Sequence, residues 1–366
     1  MLYRVIGIMS GSSLDGIDLA YVVLDEQGGK WSYQLNATAC YPYSNEWIDR
    51  LKGAVSLKAT DFMRLHAEYG HHLGKTVNQF IQENGLEFNV GLIASHGHTI
   101  FHEPGVFTVQ IGDGAAIAAE TSLPVVSDLR AMDVALGGQG APIVPMGEKL
   151  LFPDYTWLLN IGGIANISFR SNLGSYTAFD VCPANRVLNL LANKCGKEFD
   201  EDGAMARTGA VHVDLLNELN ALSYYKEPFP KSLDNGFGID HVFPLIQSFG
   251  LSPTDELATY TEHIACQVGN SISEALAKQE ASRGESAMLV TGGGALNSHL
   301  IERIRYYASH NAIAVAVPDL QTVMYKEALI MGLLGVLRWR EEETVLSSVT
   351  GARQSSIGGA LWMGHQ

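Results

Sequence analysis

Three times along this chain a run of strand-forming residues ends in glycine-rich backbone. "GIMSGSSLDGIDLAYVVL" (7–24) reads as strand, turn and second strand. "YTWLLNIGGIANISFR" (155–170) is a second hairpin with two glycines at its tip, and "AMLVTGGGALNSHL" (287–300) runs from a strand through three glycines into a helix. Glycine lacks a Cβ, so backbone N–H groups in such turns can come close to a ligand. Between these units lie helical stretches at about 59–82, 183–194, 254–278 and 326–340, and 175–181 could add a third strand beside the second hairpin. The fold class that follows is mixed α/β, with donor-rich turns at the ends of buried strands.

The bulk properties narrow the function. A length of 366 residues suits two or three compact units, and 46% hydrophobic with 17% charged residues provides a large core and excludes disorder. The formal charge of −15 argues against nucleic acid or an anionic membrane as partner. A small anion remains possible, because oriented N–H groups and a bound cation can overcome the average field. The longest apolar run, 328–337, is short for a membrane span and is bounded by Glu327 and Arg338. The chain enters its first strand without a basic-then-apolar leader, and Cys40, Cys182, Cys195 and Cys266 show no C-x-x-C spacing. Reduced thiols in the cytoplasm are the expectation.

One motif is a decoy. "GHHLGKT" (70–76) has three residues between its glycines where a phosphate loop needs four, and it falls inside a helical pattern. The turn at 7–18 has no lysine. Its Gly and Ser residues offer N–H and hydroxyl donors to phosphate, whereas Asp15 and Asp18 would repel it unless Mg²⁺ or its water shell lay between. An ordinary tight turn with solvated aspartates is the competing reading.

Taken in order, the three glycine units resemble the actin, sugar-kinase and heat-shock ATPase superfamily, and more specific stretches are similar to the anhydro-N-acetylmuramic acid kinases. These are "MSGSSLDGID" (9–18), "SHGHTIFHEP" (95–104), "VQIGDGAAIA" (109–118), "PVVSDLRAMDVALGGQGAPIVP" (124–145), "NIGGIANIS" (160–168), "FDVCPANRVLN" (179–189), "FDEDGAMARTG" (199–209), "TGGGALNSHL" (291–300), "KEALIMGLL" (326–334) and "SSVTGA" (347–352). They cover nearly the whole chain. The resemblance implies a two-lobed, ribonuclease-H-like fold with a cleft between the lobes. One lobe would span 1–130, joined by the tail 345–366, and the other 131–344. It also implies a cytoplasmic homodimer that uses ATP with Mg²⁺ to phosphorylate an anhydro amino sugar in peptidoglycan recycling, with no nucleic acid and no membrane involved.

Residue roles follow from the same resemblance. Gly11, Ser12, Ser13, Leu14, Asp15, Gly16, Ile17 and Asp18 would meet the phosphates, with Gly162, Gly163 and Asn166 as a second hairpin and Gly292, Gly293 and Gly294 on the adenosine side. Asp180 would be the general base, and its rival role is to cap the helix that Pro183 initiates. Glu327 would face the sugar or else complement its helix dipole. Arg130 would hold a sugar or lactyl carboxylate, or else pair with Asp128 or Asp133. His96 would line the sugar pocket. His96 and His98 on one strand face would instead suit a metal-dependent hydrolase, although no companion ligand cluster accompanies them. A non-catalytic nucleotide-binding module is a further alternative, which would have no need of Asp180 and Glu327. The chain departs from the family at Val181, Cys182 and Ala184, where Thr, Gly and Gly are usual. It departs again at His98, where Gln is usual, and at Gly147 and Glu148, where Phe-His is usual.

Overall fold

The computed structural model describes residues 1–11, 14–172, 174–234, 236–281 and 286–364. Two compact units emerge. Unit 1 is Met1–Pro153 with Tyr325–Gln366, and unit 2 is Asp154–Met324.

In chain order the strands are β1 (Leu2–Ser10), β2 (Gly16–Gln27), β3 (Lys30–Pro42), β4 (Leu92–Ser95), β5 (His98–Glu103), β6 (Phe107–Ile111), β7 (Val125–Ser127), β8 (Trp157–Ile161), β9 (Ile164–Arg170), β10 (Tyr176–Pro183), β11 (Ser286–Thr291), β12 (Ile313–Ala316) and β13 (Ala360–Trp362). The main sheet of unit 1 has the order β13-β7-β4-β1-β2-β3, and β5-β6 form a separate pair. β1, β2 and β3 are antiparallel, while β4 and β7 run parallel to β1. Unit 2 repeats this plan as β10-β9-β8-β11-β12, with an antiparallel triplet followed by two strands parallel to its first. This is the ribonuclease-H-like topology, present twice.

Each sheet buries apolar alternation against helices. In unit 1, Ile6, Ile8, Ile17 and Leu19 pack with Leu73, Val77 and Phe80 of the helix Ala59–Glu83. The decoy motif lies within that helix. A Cβ on Gly70 would sit 2.6 Å from the Asp113 carbonyl oxygen, and one on Gly74 would sit 2.6 Å from Glu120 Cβ, so these glycines let the helix Gly114–Thr121 approach. In unit 2, Trp157, Leu159 and Phe169 pack with Tyr260, Ile264 and Val268 of the helix Pro253–Ala277. That helix starts where the sequence requires it: Ser252 Oγ accepts from the Asp255 N–H, Pro253 opens the first turn, and Asp255 and Glu256 complement the dipole.

The division between units departs from the expected 130 and 345. Segments 131–153 and 325–344 both belong to unit 1. Packing explains this. Gly147 of the helix Val144–Leu151 lies against Ile330, where a Cβ would come within 2.5 Å, and Gly7 of β1 lies against the Ala328 backbone. The helix carrying Ala328 and Ile330 runs Leu320–Trp339 with a non-helical residue at Tyr325 (φ −118°, ψ 15°), beginning before the expected 326. It is long and apolar enough to span a membrane, yet 72% of its most apolar window is buried inside the fold, which marks a core helix. The four cysteines are free.

Candidate active site

The first glycine turn joins β1 to β2. Ser12 and Ser13 lie outside the described residues. Leu14 adopts φ +61°, unusual for a side chain of its kind, and its N–H reaches the Gly11 carbonyl at 3.4 Å. The Asp15 carboxylate accepts from the Gly16 N–H at 3.0 Å. Gly16, Ile17 and Asp18 already belong to β2, and Ile17 is buried, so its side chain is core. Asp18 pairs across the strands with Met9 and Cys40. Burial pushes its carboxyl up to about 6; Cys40 opposes the rise through a hydrogen bond, and Asp15 and Glu327 add to it by like charge.

Beneath this turn lies a buried hydroxyl network. Ser10 Oγ is 2.7 Å from Tyr43 Oη and 3.0 Å from Tyr69 Oη, and His98 Nδ1 is 2.9 Å from the same Ser10 Oγ. The histidine that replaces the family's glutamine therefore takes a hydrogen-bonding role. Burial holds it down at about 4.

His96 and His98 do not share a strand. β4 ends at Ser95, β5 begins at His98, and Gly97 between them takes φ +70°. Arg130 Nε donates to His96 Nε2 at 2.8 Å, which leaves the proton on Nδ1, and that group donates to the Gly97 carbonyl at 2.8 Å. Burial and the Arg130 charge depress His96 to about 3. With both ring nitrogens engaged, His96 is no metal ligand, and the hydrolase reading loses its support. Among the described residues no group of three or more His, Cys, Asp or Glu could hold a metal.

Arg130 also donates to the Gly140 carbonyl at 2.6 Å. The expected alternative partner Asp133 is fully buried and spends its carboxylate on the Gly140 N–H (2.7 Å) and the Thr350 hydroxyl (2.7 Å). Burial lowers Arg130 to about 10, opposed by the charges of Glu327 and then Asp133. Arg130, His96 and Glu327, three residues singled out in the sequence, are thus gathered in unit 1. Glu327 is held above the usual carboxylate range by burial, with Lys326 and Arg130 pulling it back and Glu148 pushing it further up. It lies two residues past the break at Tyr325 and not at the opening of its helix. Lys326 Nζ donates to Glu148 Oε1 at 2.7 Å, and both are buried. This pair accounts for the departure at 147–148: Gly147 admits Ile330, and Glu148 neutralises the lysine beside Glu327.

In unit 2 a polar row crosses four strands. Thr291 of β11 pairs with Asn160 of β8, Asn160 with Asn166 of β9, and Asn166 with Asp180 of β10. Residues directly opposite one another share a face of the sheet. Thr291 Oγ1 donates to Asn160 Oδ1 at 3.4 Å. Asn166 is thus an exposed residue within β9. Asn160 and Thr291, which no motif singled out, each stand beside a glycine turn.

Asp180 does not cap a helix. The following helix, Asn185–Asn193, starts five residues later with Ala184 at its cap position. Val181 and Cys182, buried and more apolar than the residues usual in the family that the chain resembles, extend β10 through Pro183 with a bulge between Asp180 and Cys182, and the buried Ala184 follows at the helix cap. Such bulges re-aim side chains. Asp180 Oδ2 accepts from the Leu233 N–H at 2.9 Å and from Ser232 Oγ at 3.4 Å, while the other oxygen carries no hydrogen bond among the described residues. Its backbone is clamped as well: its N–H donates to the Lys231 carbonyl at 3.0 Å, and Tyr224 Oη donates to its carbonyl at 2.5 Å. Burial raises the carboxyl above its ordinary value, and the bonds from Leu233 and Ser232 restrain that rise.

The glycines of unit 2 divide into two kinds. Gly292 takes φ +81°, and a Cβ on Gly294 would lie 2.2 Å from Ile161 Cγ2, so the fold itself requires these two. At Gly162, Gly163 and Gly293 the nearest atoms to an added Cβ would lie 3.6–3.7 Å away, an ordinary contact. Packing does not demand glycine there.

Over residues 3–364 the sequence matches the family described as Anhydro-N-acetylmuramic acid kinase. The chain belongs to that family. A curated anhydro-N-acetylmuramic acid kinase from Aliivibrio fischeri (strain ATCC 700601 / ES114) is 34% identical over 324 residues, covering 85% of this chain and 86% of the relative. Two solved structures show looser likeness. The activator of the 2-hydroxyisocaproyl-CoA dehydratase from Clostridium difficile with bound ADPNP has a TM-score of 0.46 at 15% identity, covering 92% of this chain and 96% of its own. A ROK family glucokinase from Streptomyces griseus in complex with glucose and AMPPNP has a TM-score of 0.41 at 12% identity, covering 91% and 99%. As an anhydro-N-acetylmuramic acid kinase the chain is an ATP-using phosphotransferase, and the family's motifs fall on the turns and strands described above.

Proposed function

We propose that this kinase opens 1,6-anhydro-N-acetylmuramic acid with water while phosphorylating it at O6, giving N-acetylmuramic acid 6-phosphate and ADP, and that Asp180 is the general base. The observation that carries this reading is the setting of Asp180: one carboxylate oxygen is fixed by two donors, and the other has no bond among the described residues. That second oxygen takes the proton of the water attacking the anomeric carbon. The bond from that carbon to O6 breaks, and O6 uses the released electron pair to attack the γ-phosphorus, with ADP leaving. Phosphoryl transfer asks chiefly for in-line positioning and charge stabilisation, so one base with donor-rich turns is sufficient equipment.

Gly162, Gly163 and Gly293, which packing leaves free to carry a Cβ, support a role in which bare backbone meets phosphate and adenosine. Arg130 and Glu327 suit the sugar: the guanidinium answers the lactyl carboxylate and Glu327 bonds to a hydroxyl, while His96, its nitrogens committed to Arg130 and Gly97, lines the pocket and orients that guanidinium. Mg²⁺ accompanying ATP would supply charge neutralisation. Asp15 and Asp18 fit its water shell, since Asp18 is pushed up by burial and carboxylates with no cation among the causes, a situation a divalent ion relieves. A cytoplasmic homodimer serving peptidoglycan recycling completes the reading.

The test is an ADP-release assay with Mg-ATP and the anhydro sugar on wild type and Asp180→Asn. Sugar-dependent release that falls by about a hundredfold or more in the variant is expected, as for loss of a general base. Release that ignores the sugar would point to a nucleotide-binding module, and a variant of undiminished rate would remove Asp180 from the chemistry.

A further inference from the structure

We propose that Arg186 is the cation that meets the nucleotide's terminal phosphates at the second glycine turn; this rests on the kinase reading of that turn. A chain with a formal charge of −15 must accommodate a polyanion, and its first turn contains neither lysine nor arginine. The charges that act on Asp18 among the described residues are those of Asp15 and Glu327, both negative. At the third turn, the atoms nearest an added Cβ on Gly292, Gly293 or Gly294 belong to Asn160, Ile161 and Asn185, all uncharged. The second turn differs. An added Cβ on Gly163 would lie 3.7 Å from both Nε and Nη2 of Arg186, so the guanidinium stands over the bare glycine.

The backbone explains why Arg186 stays there. At the start of the helix Asn185–Asn193, the N–H groups of Ala184, Asn185 and Arg186 donate to the carbonyls of Gly163, Gly162 and Gly163 at 2.8, 3.0 and 3.4 Å. Asn185 Nδ2 adds a bond to the Ile161 carbonyl at 3.2 Å. Helix start and hairpin tip are therefore one hydrogen-bonded piece. The helix spends its leading donors on the turn, so its N-terminus offers little to an anion, and the charge must come from a side chain. A planar guanidinium presents parallel N–H groups that match phosphate oxygens two at a time. Arg186 is half-buried, which weakens solvent screening of its charge. The missing side chain at Gly163 leaves space for a phosphate oxygen beneath it.

Calorimetric titration of the full chain with Mg²⁺ plus the β,γ-imido analogue of ATP, and separately with adenosine, tests this on wild type, Arg186→Gln and Arg186→Lys. The expected result is that Arg186→Gln binds the triphosphate analogue roughly 10- to 100-fold more weakly, the loss of a charge-assisted contact. Adenosine affinity stays unchanged in that variant, which also shows that it is folded. Arg186→Lys, a point charge without the fork, recovers part of the affinity. In turnover, KM for ATP rises in Arg186→Gln while KM for the sugar does not. Unaltered affinity for the analogue in Arg186→Gln overturns the assignment, and so does equal weakening of analogue and adenosine. Absence of Mg-nucleotide binding by wild type would overturn the kinase reading, and this assignment with it.

Discussion

Unit 1 and unit 2 run the same course, three antiparallel strands and then two parallel to the first, yet the side chains set on that course are opposite in character. In unit 1 the turn after the first strand leads into Asp15 and Asp18, and Arg130, Glu148, Lys326 and Glu327 form a buried charge cluster. In unit 2 the corresponding turn is two glycines beside Arg186, and the strands carry the uncharged row Thr291, Asn160 and Asn166 leading to one carboxylate, Asp180. Topology decides where the turns emerge. The charges placed around them decide what each turn can hold, and a duplicated plan leaves those choices independent.

The ion pairs offer the largest test of this difference. Lys326–Glu148 is buried on both sides, with 3% and 5% of the side chains exposed, whereas Arg303–Glu262 in unit 2 keeps 32% and 11% exposed. Lys326 is the buried cation beside the carboxylates of Glu148 and Glu327, so Lys326→Met should cost about 3–5 kcal/mol in urea unfolding. Arg303→Met should cost less, roughly 1 kcal/mol, because the Tyr307 hydroxyl still donates to the Glu262 carboxylate at 2.8 Å and the departing Arg303 side chain stood partly in water. Glu148→Gln combined with Lys326→Met should recover most of the loss. Equal costs for the two single variants would erase the contrast.

This cluster also shows how far the sequence could be read. The two hairpins and the long helices were legible because apolar runs of period two or 3.6 end at glycine, proline or a capping serine, as at Ser252. β3 carries the same signal, since Trp31, Tyr33, Leu35, Ala37, Ala39 and Tyr41 alternate with more polar residues along Lys30–Pro42, yet no glycine turn drew it into the reading. Asp180 looked like a cap because Pro183 usually opens a helix; the buried Val181 and Cys182 extended the strand instead. Arg130, His96 and Glu327 were legible one at a time, through motifs. Their grouping was not, and neither was the Lys326–Glu148 contact, which spans 178 residues. Arg186 escaped notice for a related reason: it lies outside the second turn, on the helix docked against it.

A smaller effect should come from Asp18. Its folded carboxyl is raised to about 6, above the unfolded value of 3.8. Between those values the folded state keeps a proton that the unfolded chain has released, so stability falls as pH rises through the window. The penalty is complete above about pH 6. Asp18→Asn should therefore stabilise the ligand-free protein at pH 7 by roughly 1–2 kcal/mol, a figure reduced from the full shift for partial exposure. The gain should vanish near pH 4. Thermal unfolding at the two pH values checks the sign, and destabilisation at pH 7 would mean that the carboxylate is satisfied within unit 1. In unit 2 burial raises Asp180 as well, but the bonds from Leu233 and Ser232 restrain it, so a pH dependence of the same sign and smaller size is expected there.

The smallest effect concerns Asp180, the carboxylate at the end of the polar row of unit 2. Ser232 reaches Asp180 at 3.4 Å, and the Leu233 N–H holds the same oxygen at 2.9 Å. Both bonds favour the ionised form, against burial. Ser232→Ala removes only the longer bond, so Asp180 should stay in place while its carboxyl rises further. The acid limb of kcat/KM for the sugar should move to higher pH, with a rate loss of roughly two- to fivefold near that limb and none well above it. A uniform loss at every pH would show that Ser232 shapes the loop and not the base. An unmoved limb at full rate would leave the Leu233 N–H as the group that tunes Asp180. In either case Asp18 and Asp180, both raised by burial, would differ in what acts beside it: the charges of Asp15 and Glu327 add to the rise at Asp18, whereas hydrogen bonds from Leu233 and Ser232 oppose it at Asp180.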